Sequence, residues 1–331
     1  MNPKEKKLYP QPKKLNDLPN NPSIKGLDVS QNITIASLIS SFATTGIQAS
    51  NVAKGVEILK AMKREKATVF LTCTSNIITS GLRDIITYLV KEKIVDVIVT
   101  SAGGVEEDIM KVFGDFKLGS FDSSSKVLFD NGIFRAGNIF IPNTRYAYLE
   151  KCIDPFLKKL YLNNKKIIST HMFIKELGLE LESYQNKESS YIYWASKNEI
   201  PVFCPGLIDG SIGDMISFFK YNHKDFYLDS SDDIVAIDKI ALDSEKTGVI
   251  CLGGGLPKHF VLNAQILREG ADFAIYVSTA EESDGCDSGA KISEAQTWSK
   301  IKHEALHVKI HSEASIAFPI LIAGFLDSQK K

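Results

Sequence analysis

Cysteine is scarce in this chain: Cys73, Cys152, Cys204, Cys251 and Cys286 are the only five among 331 residues, widely scattered and without a CxxC pair. An odd number at such spacing excludes a disulfide framework and the paired pattern of a structural zinc site. The thiols therefore read as reduced, no metal is expected, and Cys286 reads as a small residue filling a turn. An excess of one charge is also missing, since 39 basic residues face 40 acidic ones and leave a formal net charge of -1. A general nucleic-acid coat needs a basic surplus to neutralise phosphates, so nucleic acid is not an expected partner. No window approaches the roughly 20 apolar residues that span a bilayer. The polar start Met1-Asn2-Pro3-Lys4-Glu5-Lys6-Lys7 has no apolar signal core behind it. The expectation is a soluble cytoplasmic protein with no membrane partner.

The composition is 44% hydrophobic, enough for a full core. Residues 1–23 carry prolines at positions 3, 10, 12, 19 and 22 among lysines and few apolar side chains, so they are expected to form a flexible N-terminal arm rather than a helix. Residues 24–331 are expected to form one large domain. From Ile35 to Met62 apolar residues recur at helical spacing, broken at Thr44-Thr45-Gly46, which predicts two helices joined by a turn. Ala67–Cys73, Ile94–Thr100, Pro201–Cys204, Val249–Leu252 and Asp272–Ser278 are short apolar or β-branched runs, as in strands covered on both faces. The second run leads through Ser101-Ala102-Gly103-Gly104 to an acidic helix start at Glu106-Glu107-Asp108. Strands alternating with helical patterns predict an α/β fold, a Rossmann-like parallel sheet flanked by helices. Residues 117–161 show less regularity, with turns at Asn131-Gly132 and Pro142-Asn143.

The densest chemistry lies at Asp284-Gly285-Cys286-Asp287-Ser288-Gly289, then Glu294, then Trp298-Ser299-Lys300. Carboxylates beside an indole suit a long polyamine cation, because acids pair with its ammonium groups and the ring covers its methylenes. A desolvated lysine in such a pocket can act as an imine-forming nucleophile. Lys300 is that residue, whereas Lys302 and Lys309 read as exposed and Trp298 has an alternative as plain core. Gly103-Gly104 and Gly253-Gly254-Gly255 follow strands, where backbone amides can approach a phosphate, but neither completes a GxGxxG pattern. Asp209 and Asp214 are expected on a turn at the same sheet edge. His259 is expected near a helix start after the second glycine turn.

The two carboxyl-terminal blocks, with Thr74–Gly81, Ala102–Asp108, Asp209–Asp214 and Gly253 through His259, resemble in order and spacing the deoxyhypusine synthases, from about Ile24 to Phe325. The resemblance implies NAD bound by Ser75, Asn76, Ile77, Ile78, Thr79, Ser101, Ala102, Gly103, Glu107, Asp209, Gly254, Thr279, Ala280, Glu313 and Ala314. The family usually carries aspartate where Glu313 stands, and the longer side chain still reaches a ribose hydroxyl. It implies a spermidine site of Glu106, Glu107, Asp214, His259, Gly285, Cys286, Asp287, Glu294, Trp298 and Lys300. In that site His259 is the general base and Lys300 carries the covalent intermediate. The implied activity is NAD-dependent transfer of the aminobutyl group of spermidine to one lysine of the hypusine-containing translation initiation factor precursor, by a homotetramer. A close alternative is homospermidine synthase, with putrescine as acceptor; its members often carry aspartate at the Asn263 position. A reading of another class, a non-catalytic regulatory paralogue, is opposed by the joint presence of Lys300, Trp298, Asp287, Glu294 and His259.

Overall fold

The computed structural model describes residues 21–330, so most of the arm expected at 1–23 lies outside the described residues. Six parallel strands form the central sheet: β1 Thr68–Cys73, β2 Val97–Thr100, β3 Val202–Phe203, β4 Thr247–Leu252, β5 Ala271–Val277 and β6 Ile301–Ile310. Their spatial order is β3-β2-β1-β4-β5-β6. The chain builds outward from β1 in one direction and then from β4 in the other. That is the doubly wound arrangement in which ligands collect at the switch point beyond the carboxyl ends of the first and fourth strands.

The continuous apolar runs follow from coverage on both faces. Val69, Leu71, Ile98, Ile250, Leu252, Ile275 and Val277 enter one core with helices Ile47–Arg64 and Ala314–Ser328. Phe70, Val97, Val99, Phe203, Val249, Cys251, Ala274 and Tyr276 enter the other, under helix Gly255–Ile266. Successive side chains of a strand alternate faces, so both must be apolar when both are roofed.

Two helices, Ile35–Thr45 and Ile47–Arg64, meet at Gly46 as the periodicity predicts. Four other expectations need correction. The acidic triplet does not start a helix: the helix begins at Ala102 with Ser101 as N-cap, so Gly103-Gly104 are already helical and Glu106–Asp108 lie in the second turn. β6 was not visible in the sequence, because its lysines, histidines and glutamate break the apolar run at a half-solvated sheet edge. Residues 117–161 are more regular than they read. They hold a three-stranded antiparallel sheet of Lys117–Leu118, Ile139–Pro142 and Ile133–Ala136, followed by the 19-residue helix Thr144–Leu162, which tolerates Pro155 internally. Finally, Lys302 and Lys309 are half-buried, Lys302 pairing with Asp272 at 2.7 Å and Lys309 donating to the Gly289 carbonyl.

Candidate active site

Each of the six parallel strands ends in one of the segments read as cofactor-binding. β1 leads to the short helix Ser75–Thr79, β2 to Ser101, Ala102 and Gly103, β3 to Asp209, β4 to Gly254, β5 to Thr279 and Ala280, and β6 to Glu313 and Ala314. Two of these turns meet at the switch point, where a Cβ on Gly253 would lie 3.2 Å from Thr74 Oγ1. Ser75 N donates to Ser101 Oγ at 3.0 Å, which ties the first two turns together. The backbone is packed too closely there for larger residues. A Cβ on Gly254 would lie 2.4 Å from Ser288 Cα, one on Gly103 2.7 Å from Ser75 Cβ, and one on Gly210 2.8 Å from both Ala102 Cβ and Glu106 Oε2. Such a glycine-lined edge at the carboxyl ends of the strands fits the close approach of a dinucleotide. Ile77 and Ile78 put their side chains into the core and leave only backbone for a ligand. Glu313 caps its helix by accepting from Ser315 N at 2.8 Å.

The residues that the sequence reading assigns to a polyamine fall into two groups within one chain. Glu106, Glu107 and Asp214 gather at the β2–β3 end, where Glu106 Oε2 accepts from Ile212 N at 3.2 Å and Glu107 accepts from the Thr79 hydroxyl. Asp214 is not on a turn as expected but in the first turn of helix Ser211–Lys220, while Asp209 does lie on the turn before it. Of the second group, His259, Asp287, Glu294, Trp298 and Lys300 line a cavity of about 460 Å³ beside β5 and β6.

Helix Gly255–Ile266 forms one wall of that cavity with His259, Leu262, Asn263 and Ile266, whose spacing of three, four and seven residues puts them on one face. Asp287, Glu294 and Trp298 supply the other wall and Tyr276 the floor. Lys300 is buried at 8% exposure, its ammonium 5.9 Å from the Trp298 ring centre, with no ion-pair or hydrogen-bond partner among the described residues. Trp298 is 63% exposed, so its reading as plain core is corrected. Gly285 and Cys286 lie on the exposed turn beside the cavity and do not line it. His259 stands one turn deeper in its helix than expected, with Asn263 Nδ2 3.1 Å from its Nδ1.

A sequence model of the family described as "DS: Deoxyhypusine synthase" matches residues 37–325. The deoxyhypusine synthase of Nicotiana tabacum is 41% identical over 93% of this chain and 90% of its own. That of Kluyveromyces lactis is 38% identical over 92% of each. A crystal structure from Entamoeba histolytica, itself assigned to the deoxyhypusine synthases, superposes with a TM-score of 0.68 at 30% identity over 92% of this chain and 97% of that one. The chain belongs to the deoxyhypusine synthase family.

In this member of the deoxyhypusine synthase family, two residues that the sequence reading passed over line the cavity with Lys300. Lys258 precedes His259 and is only 1% exposed, and Tyr276 is 2% exposed with its hydroxyl unpartnered among the described residues. Lys258 could have been found from its place beside His259, but nothing in a lone lysine announces burial. Among the described residues no cluster of metal-ligating side chains occurs and no helix is long and apolar enough to cross a membrane.

At the other acid cluster, burial pushes the Glu107 carboxyl from an ordinary 4.5 to about 7, with neighbouring Glu106 adding to the rise. Glu106 is raised too, chiefly by burial and also by Asp214. An acid whose folded pKa is raised binds its proton more tightly when folded, so its contribution to stability declines as pH rises from about 4.5 to about 7. Glu107→Gln is therefore expected to be more stable than the parent above pH 7, by about 1–3 kcal/mol. That difference should vanish near pH 4.5. Urea melts at several pH values measure it, and an unchanging difference would show that Glu107 titrates normally.

Proposed function

We propose that this chain transfers the aminobutyl group of spermidine to one lysine of the hypusine-containing translation initiation factor precursor, with NAD as cofactor and Lys300 as covalent carrier. The observation that carries the reading is a largely buried lysine whose unpaired ammonium opens into a cavity walled by two acids and an indole. Bound NAD would supply the redox chemistry, as hydride acceptor for the polyamine carbon at the start of the cycle and hydride donor at its end.

The chain's own residues supply the rest. Asp287 and Glu294 hold the ammonium groups of spermidine by charge-assisted hydrogen bonds, and Trp298 covers its methylenes. His259 accepts the proton lost from the oxidised amine, its ring oriented by Asn263. The Lys300 amine then adds to the oxidised carbon–nitrogen double bond and expels 1,3-diaminopropane, exchanging one C–N bond for another. The acceptor lysine displaces Lys300 in the same way. Water must be kept out while the carbon–nitrogen double bond persists, because it hydrolyses; the burial of Lys300 supports this. The segments at the carboxyl ends of the six strands, from Ser75 to Ala314, are the proposed NAD cradle, and Glu106, Glu107 and Asp214 complete the acid set.

In this reading residues 24–331 act as one catalytic unit in a cytoplasmic homotetramer. Two features support assembly. The acid cluster and the Lys300 cavity lie apart within one chain, and helix Ile35–Thr45 has no buried residue although most of its side chains are apolar. Incubation with labelled spermidine, NAD and both acceptors tests the reading. Label on the initiation factor precursor is expected, whereas label on putrescine would move the assignment to homospermidine synthase. The residue at position 263 favours the first outcome, since homospermidine synthases often carry aspartate where Asn263 stands. Absence of turnover with either acceptor would leave the regulatory paralogue.

A further inference from the structure

Lys258 is placed where folding alone gives little reason for a charge. It sits in the first turn of helix Gly255–Ile266, near the end whose dipole disfavours cations, and its side chain is 2% exposed. A buried ammonium needs strong partners to offset its lost hydration. Lys258 has three: its Nζ donates to the Asp287 main-chain carbonyl at 2.5 Å, lies 3.9 Å from Asp287 Oδ2, and rests 4.3 Å above the Tyr276 ring centre. Asp287 Oδ2 is itself buried and accepts no hydrogen bond among the described residues, and Tyr276 Oη is in the same condition. Both residues line the cavity that holds Lys300. The next residue of the same turn is tied down as well, since Gly255 N donates to Ser288 Oγ at 2.9 Å.

We propose that Lys258 is a positioning residue that clamps the Asp287 segment against the cavity and so presents the Asp287 carboxylate, with one oxygen left free, to an ammonium group of the polyamine. The inference rests on the reading of this cavity as the polyamine site. Lys258 acts through Asp287 in two ways. Its bond to the carbonyl fixes the main chain at the one point where the exposed turn Asp284–Cys286 re-enters the core. Its charge holds the neighbouring carboxylate turned inward, yet at 3.9 Å it is too distant to use up that oxygen's hydrogen-bonding capacity. Tyr276 adds an aromatic seat for the clamp below. A substrate ammonium would then meet an acceptor that needs no rearrangement before binding.

The test uses the full-length chain with NAD and the acceptor protein, and compares the parent with Lys258→Met, Lys258→Arg, Asp287→Asn and the double variant Lys258→Met/Asp287→Asn. A misplaced Asp287 loses a charge-assisted hydrogen bond, so KM for spermidine is expected to rise about ten- to hundredfold in Lys258→Met. kcat at saturation should change far less, and the KM for NAD should hold. Lys258→Arg, which keeps the charge but not the compact ammonium, should give an intermediate KM. Because Lys258 works through Asp287, the double variant should be no worse than Asp287→Asn alone. Parental KM in both Lys258 variants would overturn the proposal, as would fully additive losses in the double variant. If Lys258→Met does not fold, the arginine variant alone and combined with Asp287→Asn carries the same comparison. Failure of the parent enzyme to turn over spermidine at all would instead overturn the reading of the site on which the clamp rests.

Discussion

Lys300→Ala is expected to abolish aminobutyl transfer, with turnover falling by at least about a thousandfold, because a residue that forms the covalent intermediate has no substitute in the same step. Two other lysines line the cavity, and both amines are committed: Lys258 Nζ donates to the Asp287 carbonyl beneath the acid wall, and Lys291 Nζ pairs with Glu282 at 2.6 Å. Lys300→Arg should be equally inactive, since a guanidinium does not give up its proton to become a nucleophile. Spermidine binding should survive both changes, as Asp287, Glu294 and Trp298 remain. The measurement is borohydride reduction of enzyme, labelled spermidine and NAD, followed by mapping of the adduct. Label at residue 300 in the parent and none in either variant is the expected pattern. Parental turnover in Lys300→Ala would end the covalent route, whatever the binding data say.

The largest expected loss of stability belongs to a residue remote from this chemistry. Asp108 is completely buried and serves as a four-way acceptor: Arg83 Nε donates to it at 2.6 Å, Ser190 Oγ at 2.5 Å, Ile192 N at 3.2 Å and Tyr191 N at 3.3 Å. It therefore neutralises a buried guanidinium and satisfies the first amides of helix Tyr191–Asn198, joining that helix to Ala102–Val112. Asp108→Ala leaves the cation and the amides unpaired together, and breaking a buried pair on one side costs about 3–5 kcal/mol. Denaturant titration should register that loss. Arg83→Met/Asp108→Leu, which removes both charges, should recover part of it, and a single-variant loss below about 1 kcal/mol would mean that Arg83 finds other partners.

Legibility in the sequence followed coverage. Strands roofed on both sides announced themselves: Thr68–Cys73 and Thr247–Leu252 are apolar on both faces and were placed to within two residues. β6 faces solvent along one edge, so its sequence Ile-Lys-His-Glu-Ala-Leu-His-Val-Lys-Ile resembles neither a covered strand nor a helix, although it carries the turn bearing Glu313. The glycines at Gly103 and Gly254 were readable as close-approach points, but not that the first pair is helical, because that helix starts directly where the chain leaves β2. Lys300 and the acids were found through their local spacing. Lys258 and Tyr276 were missed because their roles arise from packing between a helix and a strand distant in the chain, and a lysine or tyrosine in isolation is most often half-exposed.

The same edge strand has a consequence for solubility. β6 is the long open margin of the sheet, and an unprotected row of amides and carbonyls invites pairing with a neighbouring molecule into a growing ribbon. Its register against β5 slips between Ile301 and Leu306, which crimps the margin, and His303, Glu304 and Lys309 stud it with polar groups. The opposite margin, β3, offers only two residues to an intruder. Polar side chains that hid the strand from recognition thus act as gatekeepers against filament growth, and replacing them with valine would trade a clearer strand signature for a sticky protein.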